Sequence, residues 1–391
     1  MRKDVSNLHG YLPRKAEKEL RRALGRSPAV AILGPRQCGK STLAREYLKG
    51  QSVAYLDLQN RIDLNRLAEP ELFLEQHRQE LVCLDEIQRL PEFFVVLRSE
   101  IDRDRRPGRF LILGSASREL IQQSSESLAG RIAYLQLTPF LRSETRQVAD
   151  WQTLWVRGGF PDSLLAGDAE DSFAWRQDFI QTFLERDIPA LGLSLPVPVV
   201  RRLWQMLAHY HGQTINYSKL AGAVDVSVPT LKKYLAVLEQ TYMIRLLPPC
   251  EANLKKRLVS SHKVYIRDSG ILHALLEIER YDQLLGHPIV GASWEGLVLE
   301  HLIAAMPRWR PSFIRTGNGA EIDIVMERGG RTVVFECKFS KAPRPSRGFF
   351  ELVGDLQPEN AWVIAPVDEA YEYQRGVGVA NLDFAGDESE G

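Results

Sequence analysis

A glycine-rich stretch near the start of the chain has the residue types that bind phosphate. Residues 34–42 read GPRQCGKST and fit the pattern G-x-x-x-x-G-K-[ST] at every specified position. The glycines let backbone N–H groups surround phosphate oxygens, and the N-terminus of a following helix adds a favourable dipole. Lys40 would reach the β- and γ-phosphates, while the Ser41 hydroxyl would hold Mg²⁺. The ATP-binding residues that this pattern predicts are Gly34, Pro35, Arg36, Gln37, Cys38, Gly39, Lys40, Ser41 and Thr42.

A second stretch, residues 81–86, ends in two acids. Its sequence LVCLDE places four apolar residues before Asp85 and Glu86. A strand buried on both faces of a parallel sheet has such a continuous apolar run, and ligands bind beyond the carboxyl ends of these strands. Asp85 would hold Mg²⁺, directly or through water, and Glu86 would orient and polarise the attacking water. The alternative is a strand that simply meets a solvated turn, and the phosphate loop upstream argues against it.

Two further residues are candidates for contact with the reacting phosphate. Ser115 ends another apolar run and would contact the γ-phosphate or the lytic water, or else cap the next helix. Arg131 would stabilise charge on the transferring phosphoryl group, in its own subunit or in the neighbouring subunit of a homo-oligomer. A surface ion pair is the alternative role for Arg131. With Lys40, Asp85 and Glu86, these residues form the predicted catalytic set.

The elements that must position these residues belong to an α/β core with a parallel sheet. Residues 29–33 are an apolar strand before the phosphate loop, and residues 42–48 form a helix after it. A chance match to the motif would lack this strand–loop–helix context. A charged helix at 14–24 leads into the first strand, and residues 53–58 form a second one. We predict that this core occupies residues 1–150.

The order of these motifs resembles the AAA+ ATPase superfamily. The segments LDEIQRLPEF, ILGSAS, SLAGR, VRGGFPDSLL and FLERDI, together with the phosphate loop, are similar to a large prokaryotic branch in which an AAA core is fused to a poorly characterised C-terminal region. This resemblance covers roughly residues 14–365. It implies a helical lid at 151–195, in which Arg157 would sense nucleotide or be structural. The last helix of the lid is expected to end before Pro189.

Length and composition define the broad class of protein. A chain of 391 residues suggests two or three domains. Lys plus Arg and Asp plus Glu both number 50, and this balance does not indicate a protein that coats nucleic acid. Four widely spaced cysteines argue for a reducing compartment and against a metal knuckle. No signal peptide and no run of 18 apolar residues are present, so we expect a cytoplasmic protein without a membrane partner.

Residues 196–268 have the pattern of a winged helix. Ser227 and Pro229 are a good helix start, and Leu231 and Leu235 recur at helical spacing. The predicted elements are helices at 201–211, 217–224 and 228–238 and strands at 243–247 and 263–266. DNA phosphates would be contacted by Lys232, Lys233, Lys255, Lys256 and Arg257. A protein-contact or lid role is the alternative for this domain.

The last predicted domain, residues 269–380, carries acids inside apolar strands. Strands at 320–326 and 332–338 are joined by a Gly-Gly turn as a hairpin and contain Asp323 and Glu336. Isolated charges are costly there unless something compensates them. Strand alternation places Glu336 and Lys338 on one face.

These acids suit a metal site that activates water for attack on a phosphodiester. Asp323 and Glu336 would hold Mg²⁺ or Mn²⁺, with Lys338 beside them and Glu295 on a preceding helix. The arrangement resembles the PD-(D/E)XK nuclease superfamily, which implies a restriction-endonuclease-like α/β fold. An ion-paired strand edge, a fold retained for nucleic-acid binding and a degenerate scaffold are the alternatives. Residues 381–391 are predicted to be an acidic, disordered tail.

The sequence therefore predicts a Mg²⁺-dependent ATPase that couples nucleotide state to DNA binding or processing through a nuclease-like C-terminal domain. The alternative is a nucleotide-switched regulatory or signalling ATPase. In that case the C-terminal half would bind a partner without nuclease activity.

Overall fold

The chain folds into two compact units. The computed structural model describes residues 10–115, 128–190, 196–251 and 258–384. The N-terminal unit comprises Met1–Phe140 and Gln240–Tyr242, and the C-terminal unit comprises Leu141–Glu239 and Met243–Gly391.

The N-terminal unit is built on a five-stranded parallel sheet. Its strands are β1 (Ala29–Gly34), β2 (Val53–Asp57), β3 (Leu81–Asp85), β4 (Phe110–Ser115) and β5 (Ile132–Gln136). They lie in the order β2-β3-β4-β1-β5, and every neighbouring pair is parallel. β1 is buried along its whole length, which explains its continuous apolar sequence. Because β4 lies between β1 and β3, the carboxyl ends of these three strands are adjacent at one edge of the sheet.

Helices cover the faces of this sheet. They are α1 (Ala16–Leu24), α2 (Lys40–Leu48), α3 (Arg61–Arg66), α4 (Pro70–Gln76) and α5 (Phe93–Arg103). α5 shows how they are held, because Phe93, Leu97 and Ile101 recur at helical spacing and are all buried in the core with Phe73 and Phe110. Burial of each such side chain contributes roughly 1.5–3 kcal/mol.

The C-terminal unit begins with helices. Its helices are α6 (Arg142–Thr145), α7 (Trp151–Arg157), α8 (Pro161–Leu164), α9 (Ala169–Thr182), α10 (Ile188–Ala190), α11 (Val197–His209), α12 (Tyr217–Ala223), α13 (Val228–Gln240), α14 (Ser269–Leu275), α15 (Tyr281–Leu285), α16 (Val290–Ala305) and α17 (Arg347–Leu356). A π-helical turn, Phe183–Asp187, leads from α9 into α10. The helix therefore continues through Pro189 and does not end before it as predicted. Pro189 lies two residues after the end of the π-helical turn.

A small antiparallel sheet accompanies α11, α12 and α13. Its strands are β6 (Gln213–Thr214), β7 (Ile244–Leu247) and β8 (Lys263–Ile266), in the order β6-β8-β7. α13 buries Leu231, Leu235 and Leu238, the positions that its helical spacing assigned to the core. The Ser227 hydroxyl accepts a hydrogen bond from Thr230 N at 3.3 Å and so begins this helix.

A six-stranded mixed sheet completes the C-terminal unit. Its strands are β9 (Arg310–Arg315), β10 (Glu321–Arg328), β11 (Arg331–Cys337), β12 (Asn360–Ile364), β13 (Tyr371–Gln374) and β14 (Val377–Ala380). They lie in the order β13-β14-β12-β11-β10-β9. β9, β10 and β11 are antiparallel, whereas α17 connects β11 to the parallel strand β12. The predicted hairpin of β10 and β11 around Gly329 and Gly330 is confirmed.

An aromatic cluster fixes α16 against this sheet. The Trp294 ring lies 5.5 Å from Trp155 and 5.8 Å from Phe339, measured between centroids. Its indole N–H also donates to the Ile364 carbonyl of β12 at 3.1 Å. These contacts hold in place the helix that carries the next residue, Glu295.

The predicted α/β class with a parallel-sheet core is confirmed, and a mixed-sheet domain follows it as expected. Across the part of the chain that the structure describes, no helix combines the length and the apolar character needed to cross a membrane.

Candidate functional site

The phosphate loop connects the end of β1 to the start of α2. Gly39 has φ of 96°, a left-handed conformation that glycine adopts without strain. A Cβ atom at Gly34 would lie 2.2 Å from the Leu137 carbonyl oxygen, so only glycine fits there. The backbone thus turns sharply and presents the N-terminus of α2. Such a loop fits a polyphosphate, because the backbone N–H groups at the start of a helix point towards a bound anion.

Lys40 is folded back onto the loop. Its ammonium group donates to the carbonyl oxygens of Gly34 at 3.1 Å and Pro35 at 2.8 Å, and the residue is only 8% exposed. These acceptors are neutral. A phosphate oxygen is a stronger acceptor for a buried ammonium group than a carbonyl oxygen, because it carries a negative charge and adds Coulomb attraction to the hydrogen bond.

Arg14 supports the loop from outside the motif. Its guanidinium Nη1 donates to the Cys38 carbonyl at 3.0 Å, and Nη2 donates to the Thr138 carbonyl at 2.6 Å. The guanidinium carbon lies 4.6 Å from the centroid of the Phe140 ring. Arg14 therefore ties the middle of the loop to the segment after β5. The sequence contained no signal for this role, because one arginine in a charged helix start has no distinguishing spacing.

The two acids lie at the end of β3. Asp85 is buried, and its Oδ2 accepts a hydrogen bond from the Tyr55 hydroxyl at 2.5 Å. Glu86 has φ of 59° in the left-handed region, which is unusual outside glycine and typical of functional sites. The Gln88 amide donates to its carboxylate. Burial, followed by the bond to Asp85, raises the pKa of Tyr55 well above its usual range, so Tyr55 stays a donor. Sequence reasoning did not identify Tyr55.

The remaining predicted residues of the N-terminal unit are placed as follows. Ser115 ends β4, between the ends of β1 and β3, but its side chain lies outside the described residues. Arg131 forms a two-pronged ion pair with Asp102, with Nε donating at 2.8 Å and Nη2 at 2.9 Å. The structure therefore engages Arg131 in the ion pair that was the alternative to a phosphate contact. Ser41 and Thr42 lie in the first turn of α2.

Arg157 and the candidate DNA contacts belong to the C-terminal unit. The Arg157 guanidinium donates to the carbonyls of Leu164 at 3.3 Å and Ala166 at 2.7 Å, which is a structural role within the helical region. Lys232 and Lys233 are both exposed on α13, and the Lys232 ammonium lies 5.4 Å from the Tyr217 ring centroid. Lys255, Lys256 and Arg257 lie outside the described residues.

The four predicted residues of the nuclease-like site do come together. Glu295 lies on α16, Asp323 on β10, Glu336 at the end of β11, and Lys338 just after it. Lys338 Nζ is 2.7 Å from Glu336 Oε1. Asp323 Oδ2 accepts a hydrogen bond from Cys337 N at 2.8 Å. However, within residues 10–115, 128–190, 196–251 and 258–384 no group of three or more His, Cys, Asp or Glu side chains is arranged to hold a metal ion.

A residue that sequence reasoning missed lies among these acids. Lys263, on β8, is 1% exposed, and its ammonium group is 2.9 Å from Glu295 Oε1 and 2.5 Å from Glu321 Oε1. Burial alone would lower the pKa of Lys263, but the surrounding carboxylates outweigh it and hold that pKa well above its usual range. Burial raises the pKa of Glu295 to about 7, against the opposing effect of Lys263. Burial and the neighbouring Asp323 raise the pKa of Glu336 to about 7.

Comparisons with known proteins divide the chain in three. Residues 26–145 match the family model described as an AAA domain. Residues 148–282 and 290–384 match models described as domains of unknown function, DUF8612 and DUF4143. The uncharacterized proteins Rv2008c of Mycobacterium tuberculosis and Mb2031c of Mycobacterium bovis are each 44% identical to this chain over 359 residues, which is 92% of this chain and 81% of each relative.

Two solved structures are similar to part of this chain at low sequence identity. The Walker-type ATPase PABY2304 of Pyrococcus abyssi is 17% identical with a TM-score of 0.48, covering 70% of this chain and 99% of that one. The RuvB Holliday junction branch migration motor of Thermotoga maritima is 18% identical with a TM-score of 0.32, covering 61% and 90%.

Proposed function

The chain belongs to the family of the uncharacterized mycobacterial proteins Rv2008c and Mb2031c, and we propose that it is an ATPase whose nucleotide state controls DNA contact by its C-terminal unit. The AAA domain match supports ATP binding and hydrolysis. One observation carries the proposal. The phosphate loop after β1 and the acids of β3 lie at the same edge of one parallel sheet, on either side of β4.

Each side chain then has a role that its position supports. Lys40 exchanges its carbonyl acceptors for phosphate oxygens. Ser41 and Asp85 would hold Mg²⁺ through oxygen atoms, which are the ligands that this ion prefers. Mg²⁺ supplies positive charge at the phosphates. Glu86 accepts a hydrogen bond from the attacking water and orients it.

Turnover and binding of ATP, measured separately, test these roles. Lys40→Ala should lower phosphate release by about 100-fold or more, because it removes a charged donor from the transition state. Glu86→Gln should retain ATP in an equilibrium binding assay while turnover is lost. Lys49→Ala is the matched control, since Lys49 is an exposed lysine at the end of the same helix. Equal turnover in the wild type and both site variants would refute the proposal.

The DNA part of the proposal rests on α13. Together with α11, α12 and the β6-β8-β7 sheet, α13 has the element order of a winged helix, and it presents Lys232 and Lys233 to solvent. Contacts of these lysines with phosphates would release counterions from DNA. The sequence adds Lys255, Lys256 and Arg257 as further candidates.

Salt dependence tests this contact. Reversing the charges of Lys232 and Lys233 should weaken binding to every duplex sequence and lower the slope of log K against log salt by about 2. Reversal of Arg331 and Arg347, both exposed on the C-terminal sheet domain, changes the net charge equally and should have little effect. If the wild type binds no DNA at low salt, a nucleotide-switched regulatory protein with a partner-binding C-terminal half is the better proposal.

A further inference from the structure

The C-terminal unit contains a group of four carboxylates, which we call the acid cluster: Glu295, Glu321, Asp323 and Glu336. Asp323 and Glu336 are buried, whereas Glu295 and Glu321 are partly exposed. The antiparallel register pairs Ile324 with Phe335, so Asp323 and Glu336 are neighbours one step further along β10 and β11. Glu295 approaches from α16 and shares its Oε1 with the Tyr265 hydroxyl. Carboxylates grouped in this way repel one another, so a positive charge must compensate them.

That positive charge comes from β8, outside the mixed sheet. The Lys263 ammonium is 2.9 Å from Glu295 Oε1, 2.5 Å from Glu321 Oε1 and 3.9 Å from Asp323 Oδ1. Its fourth neighbour is the Phe313 ring, with the centroid 5.2 Å away. Because Lys263 is only 1% exposed, these carboxylates and not water compensate its charge.

We propose that the ammonium group of Lys263 is the resident cation of the acid cluster and stands where a divalent metal would stand in a metal-dependent nuclease. The cluster is then an internal ion network that joins β8 to the C-terminal sheet. This inference concerns the C-terminal unit alone, so it holds whether or not the proposed ATP and DNA functions are correct.

An ammonium group and a divalent ion exclude each other at this position. Mg²⁺ requires oxygen ligands at about 2.0–2.1 Å in octahedral geometry. Asp323, which was expected to hold the metal, and Glu295, which was expected to complete the site, already face Lys263. A divalent ion between them would lie beside a buried positive charge and would lose these carboxylates as ligands. The residues therefore do not fit the metal that the nuclease-like arrangement implies.

Glu336, on the other side of the acid cluster, also has a lysine as its counter-ion. Glu336 Oε1 is paired with the Lys338 ammonium, whereas its Oε2 is buried without a hydrogen-bond partner. One unpartnered carboxylate oxygen is too few ligands for a divalent ion in a dry site. The ammonium groups of Lys263 and Lys338 thus together compensate the negative charge of the acid cluster.

Terbium luminescence tests the proposal on the full chain without nucleotide. Tb³⁺ bound at the acid cluster would be excited by the adjacent Tyr265 and Trp294. Four proteins are compared: the wild type, Lys263→Met, Lys263→Met combined with Asp323→Asn, and Lys219→Met as an exposed-lysine control. Ions bound elsewhere contribute equally to all four.

Lys263→Met should gain about one equivalent of Tb³⁺, bound at least tenfold more tightly than by the wild type, and the added Asp323→Asn should remove this gain. Mn²⁺ should raise the melting temperature of Lys263→Met and not that of Lys219→Met. The proposal is overturned if folded Lys263→Met gains no ion.

A second measurement uses the wild type, so it does not depend on the folding of Lys263→Met. Wild-type protein and Asp323→Asn should give the same Tb³⁺ signal and should both fail to cleave linear DNA with Mn²⁺. Wild-type ion binding or cleavage that Asp323→Asn abolishes would overturn the proposal.

Discussion

Replacement of Arg14 should destabilise the phosphate loop, although Arg14 lies outside the loop's sequence motif. Arg14→Ala removes the donors to the Cys38 carbonyl, at 3.0 Å, and to the Thr138 carbonyl, at 2.6 Å. The side chain is 5% exposed, so water would not readily replace it. A hydrogen bond from a charged donor contributes about 1.5–3 kcal/mol to stability. Loss of two such bonds predicts that the N-terminal unit loses ~3–6 kcal/mol of stability.

Calorimetry and nucleotide binding measure the two consequences. For a unit of this size 1 kcal/mol corresponds to ~3 °C in melting temperature, so the transition of the N-terminal unit should fall by ~10 °C or more. At temperatures where both the wild type and Arg14→Ala are folded, the Cys38 carbonyl of the variant lacks its hydrogen bond from Arg14. The loop amides that surround phosphate should then be less ordered. If that ordering costs ~1.4 kcal/mol on binding, the affinity for a fluorescent ATP analogue falls about tenfold.

Two variants make the Arg14 result interpretable. Arg21→Ala removes an exposed arginine from α1 and should change neither the melting temperature nor the affinity for the ATP analogue. Arg14→Lys keeps the charge but cannot reach both carbonyls with a rigid fork, so it should fall between Arg14→Ala and the wild type. The reasoning is refuted if Arg14→Ala melts and binds ATP as Arg21→Ala does.

Three further predictions concern single side chains. Tyr55→Phe removes a donor that orients Asp85 and should lower ATP turnover about tenfold while ATP affinity is retained, as phosphate release and equilibrium binding would show. The pKa of Glu336 is raised from 4.5 to about 7 by folding. Proton uptake by Glu336 therefore contributes its full stabilisation of the fold below pH 4.5, and this stabilisation is lost as the pH rises through 7. Glu336→Gln should therefore match the wild type in melting temperature at pH 4 and exceed it at pH 8. Arg131→Ala should leave turnover intact because Asp102 holds the guanidinium; lost turnover that is restored by mixing with Lys40→Ala subunits would instead show action across a subunit interface.

The local part of the nucleotide site could be predicted from the sequence. The phosphate loop requires glycines at fixed spacing, and β3 requires a continuous apolar run before its acids, so both leave a pattern in neighbouring residues. The hairpin of β10 and β11 is similarly local, because two glycines at positive φ form its turn.

The supporting residues could not be predicted, because each one acts through a distant part of the chain. Arg14 reaches a carbonyl at residue 138, and Tyr55 reaches Asp85 from the adjacent strand. Lys263 looked like an ordinary residue of a short strand, and its partners lie on α16 and β10. A single charged or aromatic residue has no period or spacing, so only the packed fold identifies its partner. The strand order of the N-terminal sheet could not be predicted either, because no local feature of the sequence places β4 between β1 and β3.

The buried lysines Lys40 and Lys263 differ in the groups that bind their ammonium groups. This difference leads us to expect different chemistry in the two units. Lys40 is bound by two neutral carbonyls, so an incoming phosphate offers it a stronger partner and can draw it away. Lys263 is bound by carboxylates on two different elements, and a ligand would have to supply several negative charges in a dry site to displace it. In this chain, therefore, Lys40 can turn to a phosphate, whereas Lys263 is held as part of the structure. Nucleotide chemistry is therefore expected at the N-terminal sheet edge, and the acid cluster is expected to keep its own cation.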